Sequence, residues 1–380
     1  MKEHIYIVGP CAAESEEQIM TVAREIGKIE EVRGKNEEVR GKNEEVRGKN
    51  GVPGGTIFRA GIWKPRTSPD TFHGIGEQGL RWLQRVQDEL GIDTATEVSN
   101  AEQVRAAAKA HIAYIWIGAR TSANPMAVEE IAGAVVGGKN EEVRGKNEEV
   151  RGKNEEVRGK NGVPGGTFKG IGIKNPVNND VALWIGNIER LERTGLPVVA
   201  IHRGCNHHPC WEMAYQLRQQ RPTLPLILDP SHMSGNRQLV AALYQTGCQL
   251  GYDGFMIEVH PHPEQALSDA KQQITPEELA NTIHERPNTK HETRNTDLLW
   301  LRAMMDEQDD AIWAMIDKRM QISKQIGDWK KSHGVDIVQP TRYQDILRRR
   351  LEWAQAHHIS AEAVQQIMDA IHTESVKKQS

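Results

Sequence analysis

The chain has 380 residues, a formal net charge of −4, 38% hydrophobic residues and four cysteines. That charge excludes a general affinity for nucleic acid or anionic membrane, no run approaches the ~18 apolar residues of a membrane span, and the start lacks the apolar core of a signal peptide. Four cysteines are too few for a disulfide framework in a chain of this length, so a cytoplasmic location is expected, where cysteine is free to ligate metal.

Short apolar runs at 4–9, 56–63, 93–98, 114–118, 168–175, 198–202, 226–229 and 254–259 predict strands. Amphipathic stretches between them, among them 77–90, 124–135, 181–194, 209–220 and 236–250, predict helices. Eight β-α units make an α/β fold, a (β/α)8 TIM barrel over residues 1–280, with its active site at the C-terminal ends of the strands. Two identical segments, 30–56 and 141–167, interrupt the pattern; each is three copies of EEVRGKN followed by GVPGGT. One Val per heptad is half a coiled-coil seam, and each Gly weakens a helix. Both segments therefore read as polar, flexible insertions. They fall between a helix and the next strand, on the face opposite the active site. Residues 281–293 are polar, carry a Pro and read as a linker. From 294 to 380 the pattern is helical only. Leu298, Leu301, Met305, Ile312 and Ile316 recur at helical steps, Gly334 and Pro340 mark a turn region, and helices follow at about 342–356 and 361–377.

Chemistry-bearing residues collect at the strand ends. Cys11 follows strand 1 (IYIVGPC), His232 follows strand 7 (LILDPSH), Glu258 ends strand 8 (GFMIEVH) and Asp269 lies in the next loop. Strands 7, 8 and 1 are neighbours in a closed barrel, so these four converge. A Cys/His/Glu/Asp set suits a borderline divalent ion such as Mn2+, Fe, Co or Zn. Cations share the rim: Arg59, Lys64 and Arg66 in RAGIWKPRTSP, Arg120 in IGAR, Lys174 ending strand 5 and Arg203 in HRG. Arg forks, a Lys point charge and the hydroxyl of Thr67 suit phosphate and carboxylate groups. The loop Cys205-Asn-His207-His208-Pro-Cys210 offers thiols and imidazoles, but its spacing matches no common structural zinc pattern; it reads as a loop with a helix starting at Pro209.

GPC, RAGIWKPRTSP, IGAR, the strand-end Lys, HRG, DPSH, IEVH and the later Asp together resemble 3-deoxy-D-arabino-heptulosonate 7-phosphate (DAHP) synthase, of the class close to the octulosonate phosphate synthases. The resemblance runs through about 4–280, repeats excluded. It implies a divalent metal, Mn2+ foremost, on Cys11, His232, Glu258 and Asp269. It also implies phosphoenolpyruvate on Arg59, Lys64, Arg120, Lys174 and Arg203, with Lys64 catalytic as well, and the phosphate of erythrose 4-phosphate on Arg66 and Thr67. Strand 5 departs from the pattern: glycines at 170 and 172 replace more apolar, β-branched residues. Glycine weakens a strand interior, so a less firmly placed Lys174 is expected.

Residues 294–380 resemble the all-helical chorismate mutase through Arg302, Arg319, Lys330, Arg342, Ser375 and Gln379. The resemblance implies rearrangement of chorismate to prephenate, with Arg319, Lys330 and Gln379 as catalytic groups. Arg302 and Arg319 lie 17 residues apart on one helix, about 25 Å. One small dianion cannot bridge them, and the family supplies Arg302 from a second chain, so a homo-oligomer of at least two chains is implied. Tyr343 stands where many relatives have an acid or amide for the substrate hydroxyl. The implied chain is a bifunctional shikimate-pathway enzyme whose helical domain also mediates feedback inhibition. Alternatives are an octulosonate-phosphate type synthase, or a non-catalytic barrel carrying the repeats.

Overall fold

The computed structural model describes residues 4–34, 55–65, 70–150, 168–284 and 296–380. Eight parallel strands close a barrel in chain order: β1 (Ile5–Gly9), β2 (Gly55–Arg59), β3 (Thr94–Val98), β4 (Tyr114–Ile117), β5 (Gly170–Lys174), β6 (Val198–His202), β7 (Leu226–Leu228) and β8 (Gly254–Glu258). β8 closes on β1 with Ile5 opposite Gly254 and Gly9 opposite Glu258. The strands read as continuous apolar runs because both faces are covered, as in parallel sheets generally. Ile7, Ile57, Trp116, Ile201, Ile227 and Met256 fill the barrel interior.

The helices of this unit are α1 (Glu16–Gly34), α2 (Gln78–Leu90), α3 (Ala101–Lys109), α4 (Pro125–Val150), α5 (Val181–Glu192), α6 (Trp211–Gln220), α7 (Pro230–Ser234), α8 (Arg237–Gln249) and α9 (Pro276–His284). α1 runs into the first repeat copy as far as Gly34, and α4 into the second as far as Val150, where a non-helical insertion was expected. Residues 35–54 and 151–167 of the two copies lie outside the described residues, and the first copy ends in Gly55 and Thr56, which open β2. β2 ends at Arg59, shorter than the expected 56–63: Ala60 N makes the last bond to β3, at Ala95 O, and Gly61 N turns away to Cys11 O. α9 extends to His284, into the stretch expected as linker.

The chain divides into two compact units, Met1–Leu301 and Arg302–Ser380, and the division falls within α10 (Thr296–His333). Next to the end of the first unit, Trp300 is fully buried; its indole nitrogen donates to Leu250 O at 3.2 Å and its ring lies 5.6 Å from Tyr252. The second unit holds the rest of α10 with α11 (Pro340–Ala356) and α12 (Ala361–Gln379). Pro340 occupies the first turn of α11, where its missing N–H costs nothing. Along α10, Met305, Trp313 and Met315 are 63%, 69% and 66% exposed, so the apolar spacing of this helix does not feed a core within its own unit.

Candidate metal and anion site at the barrel mouth

Cys11, His232, Glu258 and Asp269 each present a ligand atom, and these atoms lie within 4.8 Å of one another. Cys11 Sγ lies 2.9 Å from Asp269 Oδ2, and His232 Nε2 lies 3.5 Å from Glu258 Oε1. The donor set fits a divalent ion on one further ground: Glu258 Oε1 is buried and accepts no hydrogen bond, an arrangement that disfavours an empty carboxylate. Burial, reinforced by Glu258, pushes the Cys11 thiol up. Ligation therefore requires the ion itself, with Lys64 Nζ at 2.9 Å, to hold the thiolate.

The ligands are braced from behind. Asp229, at the N-cap of α7, accepts from His232 N at 3.0 Å and lies 2.9 Å from His232 Nδ1, leaving Nε2 to face the cluster. Lys174 Nζ donates to the same carboxylate at 2.8 Å. Burial alone would raise the Asp229 carboxyl, but His232 and Lys174 outweigh it and hold it well below the usual carboxylate range. Gln272 donates to Glu258 Oε2 at 2.7 Å, and Gln273 accepts from Cys11 N at 3.0 Å. Sequence reasoning missed these supports. The Asp in DPSH was the available signal for Asp229; a lone Gln carries none.

The cations line the same mouth. Arg59, 1% exposed, donates through Nη2 to Cys11 O at 3.2 Å and pairs with Glu258 Oε1 at 3.3 Å, while its Nε and Nη1 are buried without a partner. Unpaired buried guanidinium donors fit an anionic ligand. Lys64 is buried; burial would lower its ammonium, but Cys11 and Glu258 outweigh it and raise it. Arg203 is depressed chiefly by burial, with Asp229 opposing and the like charge of Arg120 adding to it. Asn175 fixes this corner, accepting from Arg203 N at 2.7 Å and donating to Gly204 O at 3.0 Å. Arg66 and Thr67 lie outside the described residues.

Two expectations are corrected. Lys174 is firmly placed: it is 4% exposed and anchored on Asp229. The strand holds despite its glycines: β5 pairs with both β4 and β6, and a Cβ at Gly172 would lie 2.7 Å from Ile201 Cδ1 of β6 and 3.2 Å from Trp116 Cβ of β4. Cys205 and Cys210 lie side by side across their loop, with Cα atoms 6.1 Å apart. α6 begins at Trp211, not Pro209.

In the helical unit, Arg319 donates to Ser375 Oγ, Lys330 donates to Ile337 O at 2.8 Å, and Gln379 lies over Gly327 with its Oε1 buried and unpaired. A Cβ at Gly327 would lie 2.5 Å from Gln379 Cα, so only glycine admits this approach. Burial, with Arg350 nearby, depresses Arg319. Tyr343 donates to Asp369 and stacks on His372 at 4.1 Å. Arg302 and Arg342 are exposed.

A closed barrel whose mouth gathers a thiol-containing metal set beside buried, under-satisfied cations defines a metal-assisted enzyme for phosphorylated, carboxylated substrates. Comparison with known proteins agrees. The chain belongs to the DAHP synthetase I family, whose model matches residues 2–143 and 164–293 and omits the interior of the second repeat. Residues 301–380 match chorismate mutase type II. The chain is 28% identical over 286 residues to phospho-2-dehydro-3-deoxyheptonate aldolase of Thermotoga maritima, covering 73% of this chain and 68% of that one. It is 23% identical over 303 residues to 2-dehydro-3-deoxyphosphooctonate aldolase of Wolinella succinogenes, covering 74% and 97%. A crystal structure of the Thermotoga maritima DAHP synthase shares the fold with a TM-score of 0.54 at 24% identity, covering 74% of this chain and 68% of that one. Synthase and mutase activities thus lie on one chain.

Proposed function

We propose the following division of labour for the two activities. Cys11, His232, Glu258 and Asp269 hold a divalent ion, Mn2+ foremost. When bound, that ion supplies a Lewis acid for the aldehyde oxygen of erythrose 4-phosphate. Arg59, Lys64, Arg120, Lys174 and Arg203 hold the phosphate and carboxylate of phosphoenolpyruvate, and Arg66 and Thr67 hold the phosphate of the aldose. The enol carbon of phosphoenolpyruvate attacks the aldehyde carbon, water adds to the neighbouring carbon, and phosphate leaves to give DAHP. Buried cations offset the charge that develops along this path. The observation that carries the reading is the convergence of the four ligand atoms within 4.8 Å, directly against Arg59 and Lys64. Loss of phosphoenolpyruvate in the presence of erythrose 4-phosphate tests it. Chelation is expected to abolish the loss, and Mn2+ to restore it. Full activity of Cys11→Ala with no bound metal would refute the ligand set.

The octulosonate-type relatives sustain a second reading of the aldose site. Turnover of arabinose 5-phosphate in place of erythrose 4-phosphate would establish it.

In the helical unit, Arg319, Lys330, Ser375 and Gln379 meet chorismate, with Arg302 and Arg342 completing the set. The exposed apolar residues of α10 support a second chain covering that helix. Light scattering showing a monomer at micromolar concentration would oppose this. The mutase site also serves as the feedback sensor, since it binds a product of the pathway that the barrel opens. Prephenate inhibition that survives Arg319→Ala would oppose that role.

A further inference from the structure

We propose that Trp116 is a positioning residue for Arg59: its indole face fixes the plane in which the guanidinium meets phosphoenolpyruvate. The inference rests on the reading of Arg59 as a phosphoenolpyruvate ligand. Arg59 Cζ lies 4.8 Å from the centroid of the Trp116 ring, within cation–π range. The guanidinium is otherwise held through Nη2 alone, between Cys11 O and Glu258 Oε1. Its Nε and Nη1 have no partner. A planar group held at one nitrogen can swivel about that contact, and a fork that recognises carboxylate or phosphate works only in its own plane. A flat ring packed against it removes the swivel.

One further observation separates this role from simple filling of the barrel. Trp116 Nε1 is itself buried without an acceptor, a costly choice for a residue that only occupies space, since Phe or Leu would leave no donor stranded.

Calorimetric titration of the metal-loaded full chain with phosphoenolpyruvate tests the proposal. Trp116→Leu is expected to raise Kd roughly tenfold, and Trp116→Phe, which keeps a ring, by only about two- to threefold. KM for erythrose 4-phosphate and the bound metal are expected to stay at parent values. Should Trp116→Leu fail to fold, Trp116→Met, which also lacks a ring, takes its place, with the same selective loss of phosphoenolpyruvate expected. In an Arg59→Ala background, Trp116→Leu is expected to add nothing. Parent affinity in Trp116→Leu or, if that variant does not fold, in Trp116→Met overturns the proposal. So does an equal loss with and without Arg59. Parent affinity in Arg59→Ala would instead remove the reading of Arg59 on which the proposal stands.

Discussion

Replacing Asp229 with Asn separates two jobs that one carboxylate performs. It neutralises Lys174 across 2.8 Å, with both side chains nearly inaccessible, and it accepts from His232 Nδ1. Breaking a buried pair from one side costs about 3–5 kcal/mol, because the remaining charge is stranded. The amide of Asn still offers one acceptor to Lys174 and to the His232 backbone, so the lower end, about 3 kcal/mol, is expected for Asp229→Asn. That corresponds to a melting shift of roughly 6–12 °C. Loss of the His232 orienter should separately weaken metal binding by about 10- to 100-fold. The assay is Mn2+ titration by calorimetry, alongside thermal denaturation of the metal-free chain. Adding Lys174→Met to Asp229→Asn removes the stranded ammonium and should return most of the lost stability, but none of the metal affinity. If metal affinity stays within about twofold of the parent in Asp229→Asn, Asp229 does not orient His232 and the bracing argument fails. If the double variant recovers both properties, the metal defect was only a by-product of instability.

Three further outcomes are expected. Burial, with Arg203 beside it, holds the buried His202 down to about 3, against about 6.5 in an unfolded chain; between those values the unfolded chain binds more protons, so stability falls as pH drops below about 6.5, by about 2 kcal/mol at pH 5. Urea midpoints measured from pH 7.5 to 5 should show that slope in the parent and a flatter one in His202→Phe, and identical slopes would refute it. Arg319→Ala should abolish conversion of chorismate to prephenate while condensation in the absence of prephenate proceeds at the parent rate, as read by parallel assays of both reactions. Deleting residues 30–50 and 141–161 together should preserve condensation, and a large loss of bound metal in that variant would show that the repeats support the barrel mouth.

The eight strands were legible in the sequence for a physical reason. A parallel barrel buries both faces of each strand, so runs such as IYIVG and YIWI need no alternation to be recognised. The four metal-binding candidates were legible as well, because each directly ends a strand or lies in a loop just beyond one, and the order of strands in a closed barrel makes β7, β8 and β1 neighbours. Element ends were less so: α4 continues to Val150 through residues whose composition argues against helix. The supports of the site were not legible, since Gln272 and Gln273 matter only through where their loop places them against Glu258 and Cys11. β5 shows the difference most directly. In the chain, Gly170 and Gly172 are a weak strand; in the barrel Tyr114 and Trp116 of β4 and Ile201 of β6 come within contact of where their Cβ atoms would lie. Local propensity describes a residue's own backbone, whereas packing is set by residues distant in sequence, so only the closed barrel could decide that Lys174, at the end of this strand, is buried and anchored on Asp229.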